Sequence, residues 1–93
     1  MNRLVLSAQL VERGALRYTP AGLPVFDSSL KHESEVSEDG QPRKVSREIK
    51  AVGIGAITQP LGRMAMGQAA TFAGFLTAAR NGRGLLFHIT EIS

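Results

Sequence analysis

Cysteine and tryptophan are both absent from this 93-residue chain, and aromatic residues make up only 5% of it. Without cysteine the chain can form no disulfide, thiol nucleophile or thiolate metal site. The longest uncharged stretches, residues 51–62 and 64–79, are rich in glycine and small or polar residues, so we expect no membrane span. The chain opens on a strand-like pattern rather than a secretory leader, and we expect a cytoplasmic protein.

The size and composition predict one small folded domain. The length fits a single compact unit, which we place at residues 1–93. Hydrophobic residues make up 43% and charged residues 20%, a balance typical of folded rather than disordered chains. A chain of this size buries only about two thirds of its unfolded surface, so a monomer would be modestly stable.

The formal net charge is only +3, but the charges are unevenly distributed. Residues 33–39 hold four acids and no base, whereas from Gly40 onward seven bases stand against two acids. A basic face that attracts polyanions is one interpretation. A solvated surface of mixed sign is the other, and the charge pattern alone favours it.

Apolar alternation predicts five strands. These strands are Asn2–Glu12, Leu23–Lys31, Arg43–Ile54, Gln68–Ala79 and Leu85–Ile92. Thr19–Gly22 predicts a turn between the first two strands, and Asn81–Gly82 predicts a hairpin between the last two. The acidic segment Glu33–Pro42 predicts a loop, and Ile57–Gly67 predicts a loop with room for one helical turn at Pro60.

This strand pattern predicts an all-β fold. Five short strands with a connection between the third and the fourth are typical of a Greek-key barrel of the OB type. At most one short helix fits between strands 3 and 4. SH3-like barrels and other small β folds share much of the pattern, so the number of strands alone does not exclude those folds.

Motifs for catalysis and metal binding are missing. Residues 53–58 lack the third glycine of a dinucleotide-binding loop, and the chain has no Walker lysine or nucleophile elbow. His32 and His88 lie far apart in the sequence, which argues against a metal site. His88 alternates with Leu86 and Thr90 and is interpreted as a half-buried structural residue. We expect no enzyme and no cofactor.

Two parts of the chain resemble a known family. Residues 2–7 with 16–25, and residues 73–76 with 80–82 and 88–92, are similar to the opening and the closing hairpin of bacterial single-stranded-DNA-binding proteins. The similarity is greater to their shorter relatives, the family of primosomal replication protein N (PriB). The resemblance implies an OB-fold homodimer that binds single-stranded DNA during replication restart. It also implies contacts with the restart helicase PriA, the loader protein DnaT and the single-strand-binding protein.

An OB groove holds single strands by cations at the phosphates and by rings stacked on bases. Arg80 and Arg83 flank the Asn-Gly turn, and the family uses basic residues in this loop. Strand 3 carries four bases, which contact with DNA and a solvated outer face of the barrel explain equally well. These bases are Arg43, Lys44, Arg47 and Lys50. The candidate residues for single-stranded DNA are Arg80, Arg83, Arg43, Lys44, Arg47, Lys50, Arg17 and Tyr18.

Few aromatic residues are available for stacking on bases. None lies between Asp27 and Ala70, where the family commonly places such rings. The four phenylalanines sit in strand patterns and are expected in the core, which leaves Tyr18 as the best exposed ring. We therefore predict binding that depends mainly on charge and is sensitive to salt.

The first strand is expected to self-associate. Leu4, Val5, Leu6 and Val11 leave an apolar edge that pairing with a second copy would cover. An alternative function is an OB-fold adaptor with little DNA affinity that works through the acidic segment or the outer face of the barrel. A barrel that binds RNA is a further alternative.

Overall fold

Six strands and one short helix make up the computed structural model, which describes residues 1–93. The strands are β1 (Leu4–Arg13), β2 (Arg17–Tyr18), β3 (Pro24–Glu38), β4 (Gln41–Ile54), β5 (Ala69–Ala78) and β6 (Leu85–Ile92). A 3₁₀ turn at Gly55–Ile57 leads into the helix α1 (Thr58–Arg63) between β4 and β5. No helix of the chain is long and apolar enough to cross a membrane.

The five long strands close into a barrel. Their order is β1-β5-β6-β4-β3, and β3 pairs back to β1. All pairs are antiparallel except β4 with β6, which are parallel over Ala51–Gly53. The two-residue β2 pairs only with β3 and lies outside the closed ring. The predicted five-stranded OB-type barrel with one short helix is confirmed.

Strand alternation sorts the side chains between the barrel interior and the outside. In β1, Leu4, Leu6, Ala8 and Leu10 face inward, whereas Val5 is 56% exposed. The core also contains two phenylalanines at 0% exposure, as predicted for the strand positions that they occupy. Fully burying one such side chain is worth about 2 kcal/mol. These phenylalanines are Phe72 and Phe87, and the remaining core side chains are Leu30, Ala51, Leu61, Met64 and Ile89.

Arg13 fixes the end of α1 against the barrel. Its Nη1 donates hydrogen bonds to the carbonyl oxygens of Leu61 and Met64, at 3.1 and 2.7 Å. Its guanidinium also lies 5.6 Å from the centre of the Phe26 ring. These contacts supply donors to carbonyl groups at the end of the helix, where the intrahelical pattern leaves carbonyls short of partners.

The acidic segment Glu33–Pro42 is not a loop, so that prediction is wrong. β3 and β4 run on as an unbroken antiparallel ladder from Val25↔Ile54 to Glu38↔Gln41. Only Asp39 and Gly40 turn the chain, with φ of 50° and 73°, as a two-residue hairpin turn of type I′ requires. Asp-Gly is itself a strong hairpin signal, and the high charge of the segment concealed it.

The far half of this hairpin leaves the barrel, and we call residues 32–47 the arm. β1 pairs with β3 only as far as Lys31, and β6 pairs with β4 only over Ala51–Gly53. The arm therefore has no strand on either side. It elongates the molecule to 50 × 30 × 22 Å.

The other two predicted turns are confirmed. At the first, the Gly22 amide donates to the Thr19 carbonyl at 2.8 Å. At the second, residues 79–84 join β5 to β6, but only the glycine of the Asn-Gly pair has positive φ, 73° at Gly82. This tip is therefore a wider loop than a two-residue type I′ turn.

Candidate nucleic-acid interface

A groove crosses the outer face of the barrel between the β2 turn and the β5–β6 tip. It is the face on which OB folds bind oligonucleotides, and its volume is about 610 Å³. Its lining residues are Arg17, Thr19, Val25, Asp27, Val52, Ile54, Ala79, Arg80, Leu86 and His88. The structure thus brings two of the predicted arginines, Arg17 and Arg80, to one concave surface.

The floor of the groove follows from strand alternation. Val25 on β3 and Val52 on β4 lie on the groove side of the sheet because their neighbours Phe26 and Ala51 face the core, and both valines are almost fully covered. The floor is therefore aliphatic, and its one ring belongs to His88. Apolar side chains can contact the faces of bases, but they offer less than the aromatic stacking of other OB grooves.

His88 has the structural role that the sequence predicts. Its Nε2 lies 3.0 Å from the Thr77 hydroxyl, and its ring stacks on Phe75 with centroids 4.7 Å apart and planes within 9°. Phe75 is therefore on the outer face and 37% exposed, in contrast to the prediction of a core position. No three histidine or carboxylate side chains in the chain are grouped so as to hold a metal.

Asp27, which the sequence did not single out, lies inside the groove. It accepts two hydrogen bonds from Arg17, at 2.6 Å from Nε to Oδ2 and 3.0 Å from Nη2 to Oδ1. These bonds hold the pKa of the Asp27 carboxyl below its usual value and raise the pKa of Arg17. The positive charge of Arg80 lowers the pKa of Asp27 further.

A second depression lies on the other side of the β5–β6 tip. It contains three of the predicted bases, Arg47, Lys50 and Arg83, over an apolar floor that includes Leu76. The two concave surfaces meet at Ala79, at the base of the tip. The Arg83 amide donates to Asn81 Oδ1 at 2.9 Å, and Lys50 donates to the Ser29 hydroxyl at 3.0 Å.

The arm carries the remaining two predicted bases, Arg43 and Lys44, away from the groove. Lys44 lies opposite Glu35 in the ladder, and Arg43 reaches Glu38 with 4.0 Å between Nη2 and Oε1. Opposite charges across a ladder attract one another. The acidic and basic tracts of the sequence are thus the two strands of one hairpin.

Strand alternation gives the arm two different faces. One face continues the side of β3 and β4 that faces the core within the barrel. Arg43 and Arg47 are on this face, together with Val36 and Val45. Lys44 is on the opposite face, which also carries three acids. These acids are Glu33, Glu35 and Glu48. The four bases predicted along β4 therefore do not form one continuous basic surface.

Tyr18 is on the opposite side of β2 from Arg17. Its side chain is 63% exposed and lines a shallow apolar surface with Leu16 and Phe26. Arg63, from the last turn of α1, is the one charged residue there. Arg63 was not among the predicted site residues, and only its position after the predicted helical turn could have indicated it.

β1 has a free edge at three of the residues predicted for self-association, Leu4, Val5 and Leu6, whereas Val11 lies at a bulge in the part of β1 that pairs with β3. It pairs with β5 over Leu4–Gln9 but with β3 only from Gln9 onward. Leu4 and Leu6 pack against the core, whereas Val5 and Val11 are exposed. In place of a neighbouring strand, His32 lies with its Nδ1 2.7 Å from the Ser7 carbonyl oxygen.

The sequence is similar to known proteins over nearly its whole length. Residues 2–91 match the family described as "another single-strand binding protein family". The replication restart protein PriB of Bordetella pertussis is 48% identical over 80 residues, which cover 86% of this chain and 75% of that protein. PriB of Neisseria gonorrhoeae is 43% identical over 84 residues, which cover 89% of this chain and 82% of that protein.

Solved structures give the same result. The PriB protein of Ralstonia solanacearum superposes with a TM-score of 0.89 at 40% identity, over 100% of this chain and 96% of that one. The single-stranded DNA binding protein of Thermus aquaticus gives 0.78 at 25% identity, over 100% of this chain and 49% of that one. The fold is thus an OB barrel of the single-strand-binding type. The chain belongs to the single-strand binding protein family, and within it to the replication restart proteins called PriB.

Proposed function

We propose that this protein binds single-stranded DNA as an accessory factor of replication restart. The observation that carries the proposal is the groove, with Arg17 at one rim and Arg80 at the other, on the face that OB folds use for oligonucleotides. Membership of a family of restart proteins supports the same function.

In this proposal, the strand runs from the groove past the β5–β6 tip into the second depression. Arg80 and Arg83 bind phosphates on the two sides of the tip, and Arg47 and Lys50 continue the basic path. The accessible aliphatic side chains of the floor, Ile54 and Leu86, contact the bases without selecting among them. Because the groove lacks an exposed aromatic ring, most of the binding energy comes from phosphate contacts and the counterions that they release.

A titration of labelled oligodeoxythymidylate at several salt concentrations tests this mechanism. Each phosphate contact lowers the slope of log K against log salt by about 0.7 for a single strand. We expect a slope that corresponds to several contacts. A tight complex whose affinity is independent of salt would contradict binding through charge, and a complete lack of binding at low salt would contradict the function.

We also propose that two copies associate through β1. The residues concerned are Leu4, Val5, Leu6 and Val11, of which Val5 is the most exposed, and an unpaired strand edge is a template for pairing with another chain. Sedimentation should show a dimer. Val5→Lys should weaken it, whereas Val36→Lys on the arm, an exposed valine away from this edge, should not. A monomer at micromolar concentration would contradict the proposal.

The role in restart requires protein partners rather than catalysis. We propose a non-enzymatic, cytoplasmic protein that is a single domain over residues 1–93. Its partners would be the helicase PriA, the loader DnaT and the single-strand-binding protein, which it bridges to DNA. The acidic face of the arm is available for such contacts because Glu33 and Glu35 are exposed. Pull-down of purified PriA and DnaT with and without charge-reversed arm variants tests this assignment.

An adaptor with little DNA affinity is the second candidate function. The aliphatic floor of the groove and the engagement of Arg17 by Asp27 favour it. An adaptor should keep its affinity for protein partners after Arg80 and Arg83 are replaced, and its wild type should bind oligonucleotides poorly. A parallel titration with RNA oligonucleotides distinguishes the DNA-binding function from a barrel that prefers RNA.

A further inference from the structure

Asp27 is the one acidic residue among those that line the groove. Its carboxylate meets Arg17 through two N–H···O bonds, at 2.6 and 3.0 Å. A guanidinium binds phosphate through the same pair of donors and in the same forked geometry. The edge of Arg17 that a phosphate would need is therefore occupied by a carboxylate of the protein itself.

The two partners differ in how firmly they are held. Asp27 lies within the barrel part of β3, paired with Val52, and its backbone carbonyl accepts a hydrogen bond from the Gly14 amide at 2.8 Å. Arg17 lies in a two-residue strand and reaches Asp27 with a long side chain. Arg17 can therefore move away from the carboxylate, whereas Asp27 stays in place.

The Arg17–Asp27 ion pair is also accessible to solvent. The side chains of Arg17 and Asp27 are 50% and 57% exposed, and exposed ion pairs contribute little to stability. A phosphate that enters the groove can thus replace the carboxylate at low cost. Asp27 then remains in the groove as a negative charge without an ion-pair partner, and Arg80 is the other cation that acts on it.

We propose that Asp27 competes with the phosphates of the nucleic acid for Arg17, and so lowers the affinity of the groove and its dependence on salt. This inference rests on the proposed function. While Asp27 holds Arg17, that arginine releases few counterions when DNA binds. Without Asp27, Arg17 becomes one full phosphate contact, and the repulsion between carboxylate and phosphate is removed as well.

Asp27→Asn in the full chain tests the proposal because it keeps the shape of the side chain and removes its charge. Glu91→Gln is the matched control, since it removes the acid of the Arg3–Glu91 pair, which is similarly exposed and lies outside the groove. Both variants change the net charge equally. The readout is the anisotropy of labelled oligodeoxythymidylate over a series of salt concentrations.

We expect Asp27→Asn to bind roughly five- to tenfold more tightly than wild type, with the slope of log K against log salt steeper by about 0.7. Glu91→Gln should change the affinity by less than about twofold, in keeping with a distant, screened charge. In an Arg17→Ala background, Asp27→Asn should lose most of its effect. Asp27→Ser serves as a second variant if the asparagine form folds poorly.

Three results would overturn the proposal. Binding by Asp27→Asn that is no tighter than that of Glu91→Gln would show that Asp27 does not compete. A gain that persists in full in the Arg17→Ala background would show simple repulsion rather than competition for Arg17. If neither wild type nor any variant binds at low salt, the proposed function itself fails, and this inference fails with it.

Discussion

Two hairpins extend from the barrel, the arm at residues 32–47 and the β5–β6 tip at residues 80–83, and they present their bases differently. In the arm, acids on β3 lie across the ladder from the strand that carries the bases, β4, and Lys44 is directly opposite Glu35. The tip carries Arg80 and Arg83 with no acid from residue 77 to residue 85. The attraction of a segment for a polyanion therefore depends on what lies across from its bases, not on how many bases it contains.

The turns of the two hairpins also differ in backbone conformation, although Asp-Gly and Asn-Gly are similar sequences. Asp39 and Gly40 both have positive φ, so the ladder of the arm closes in two residues. At the tip only Gly82 of the Asn-Gly pair does, and Gly84 follows with φ of 75°. The wider loop separates the two arginines, so that Arg80 lines the groove and Arg83 lines the second depression.

The largest expected effect is on stability and compares Gly74, in the β5–β6 ladder of the barrel, with Gly40, at the turn of the arm. A Cβ at Gly74 would lie 1.7 Å from the carbonyl oxygen of His88, whereas a Cβ at Gly40 would meet nothing within 4 Å. Gly74→Ala should therefore lose at least about 3 kcal/mol of unfolding free energy or fail to fold. Gly40→Ala should lose about 1 kcal/mol, because φ is positive there. Urea unfolding measures both, and equal losses would contradict the contrast.

The next prediction compares the bases of the two hairpins directly. Arg80→Ala with Arg83→Ala should weaken oligonucleotide binding at least roughly tenfold and flatten the salt slope by about 1.4, the value for two phosphate contacts. Arg43→Ala with Lys44→Ala removes the same charge from the arm and should cost less than about threefold. A larger loss from the arm variant would assign the main contacts to the arm.

Removing acids from the arm sharpens the comparison. Glu33→Gln with Glu35→Gln should tighten oligonucleotide binding by roughly two- to threefold, because Lys44 would then face no acid across the ladder. Glu12→Gln with Glu91→Gln is the control for net charge. If both pairs of substitutions give the same gain, the effect is one of total charge and not of the ladder.

A smaller expected effect is a pH dependence of stability. The pKa of Asp27 in the folded chain is below its ordinary value of 3.8, chiefly because Arg17 donates hydrogen bonds to it. The stabilisation is therefore fully present above that value and is lost as the pH falls through the lowered pKa. Denaturant unfolding of wild type and Asp27→Asn should differ near neutral pH and converge in strong acid.

Glu38→Gln is the counterpart of that experiment on the arm. It removes the exposed pair with Arg43, in which the atoms are 4.0 Å apart. The unfolding free energy should change by less than about 0.5 kcal/mol. A larger change would mean that the ion pairs of the arm stabilise the ladder more than exposed pairs usually do.

Local patterns in the sequence were sufficient to predict most of the barrel. The inward set of β1, the turn before Gly22 and the final hairpin depend on alternation and on turn residues, which act between near neighbours. Only part of the arm was missed, the segment Glu33–Pro42, whereas the strand predicted from Arg43 onward is present. The missed segment is exposed and highly charged and lacks a buried face, so the apolar alternation that indicates a strand is absent, and only Asp39–Gly40 indicates the hairpin.

The sequence by itself determined which side chains are cationic, where the chain turns and which strand faces are apolar, because these properties belong to single residues and their neighbours. Only the tertiary structure decided which charges meet. Strand pairing placed Arg17 and Arg80 at one groove, put Asp27 against Arg17, and turned Tyr18 to the other side of β2. Coulomb and hydrogen-bond energies depend on distance, and the ladder sets distances between residues that are remote in the chain.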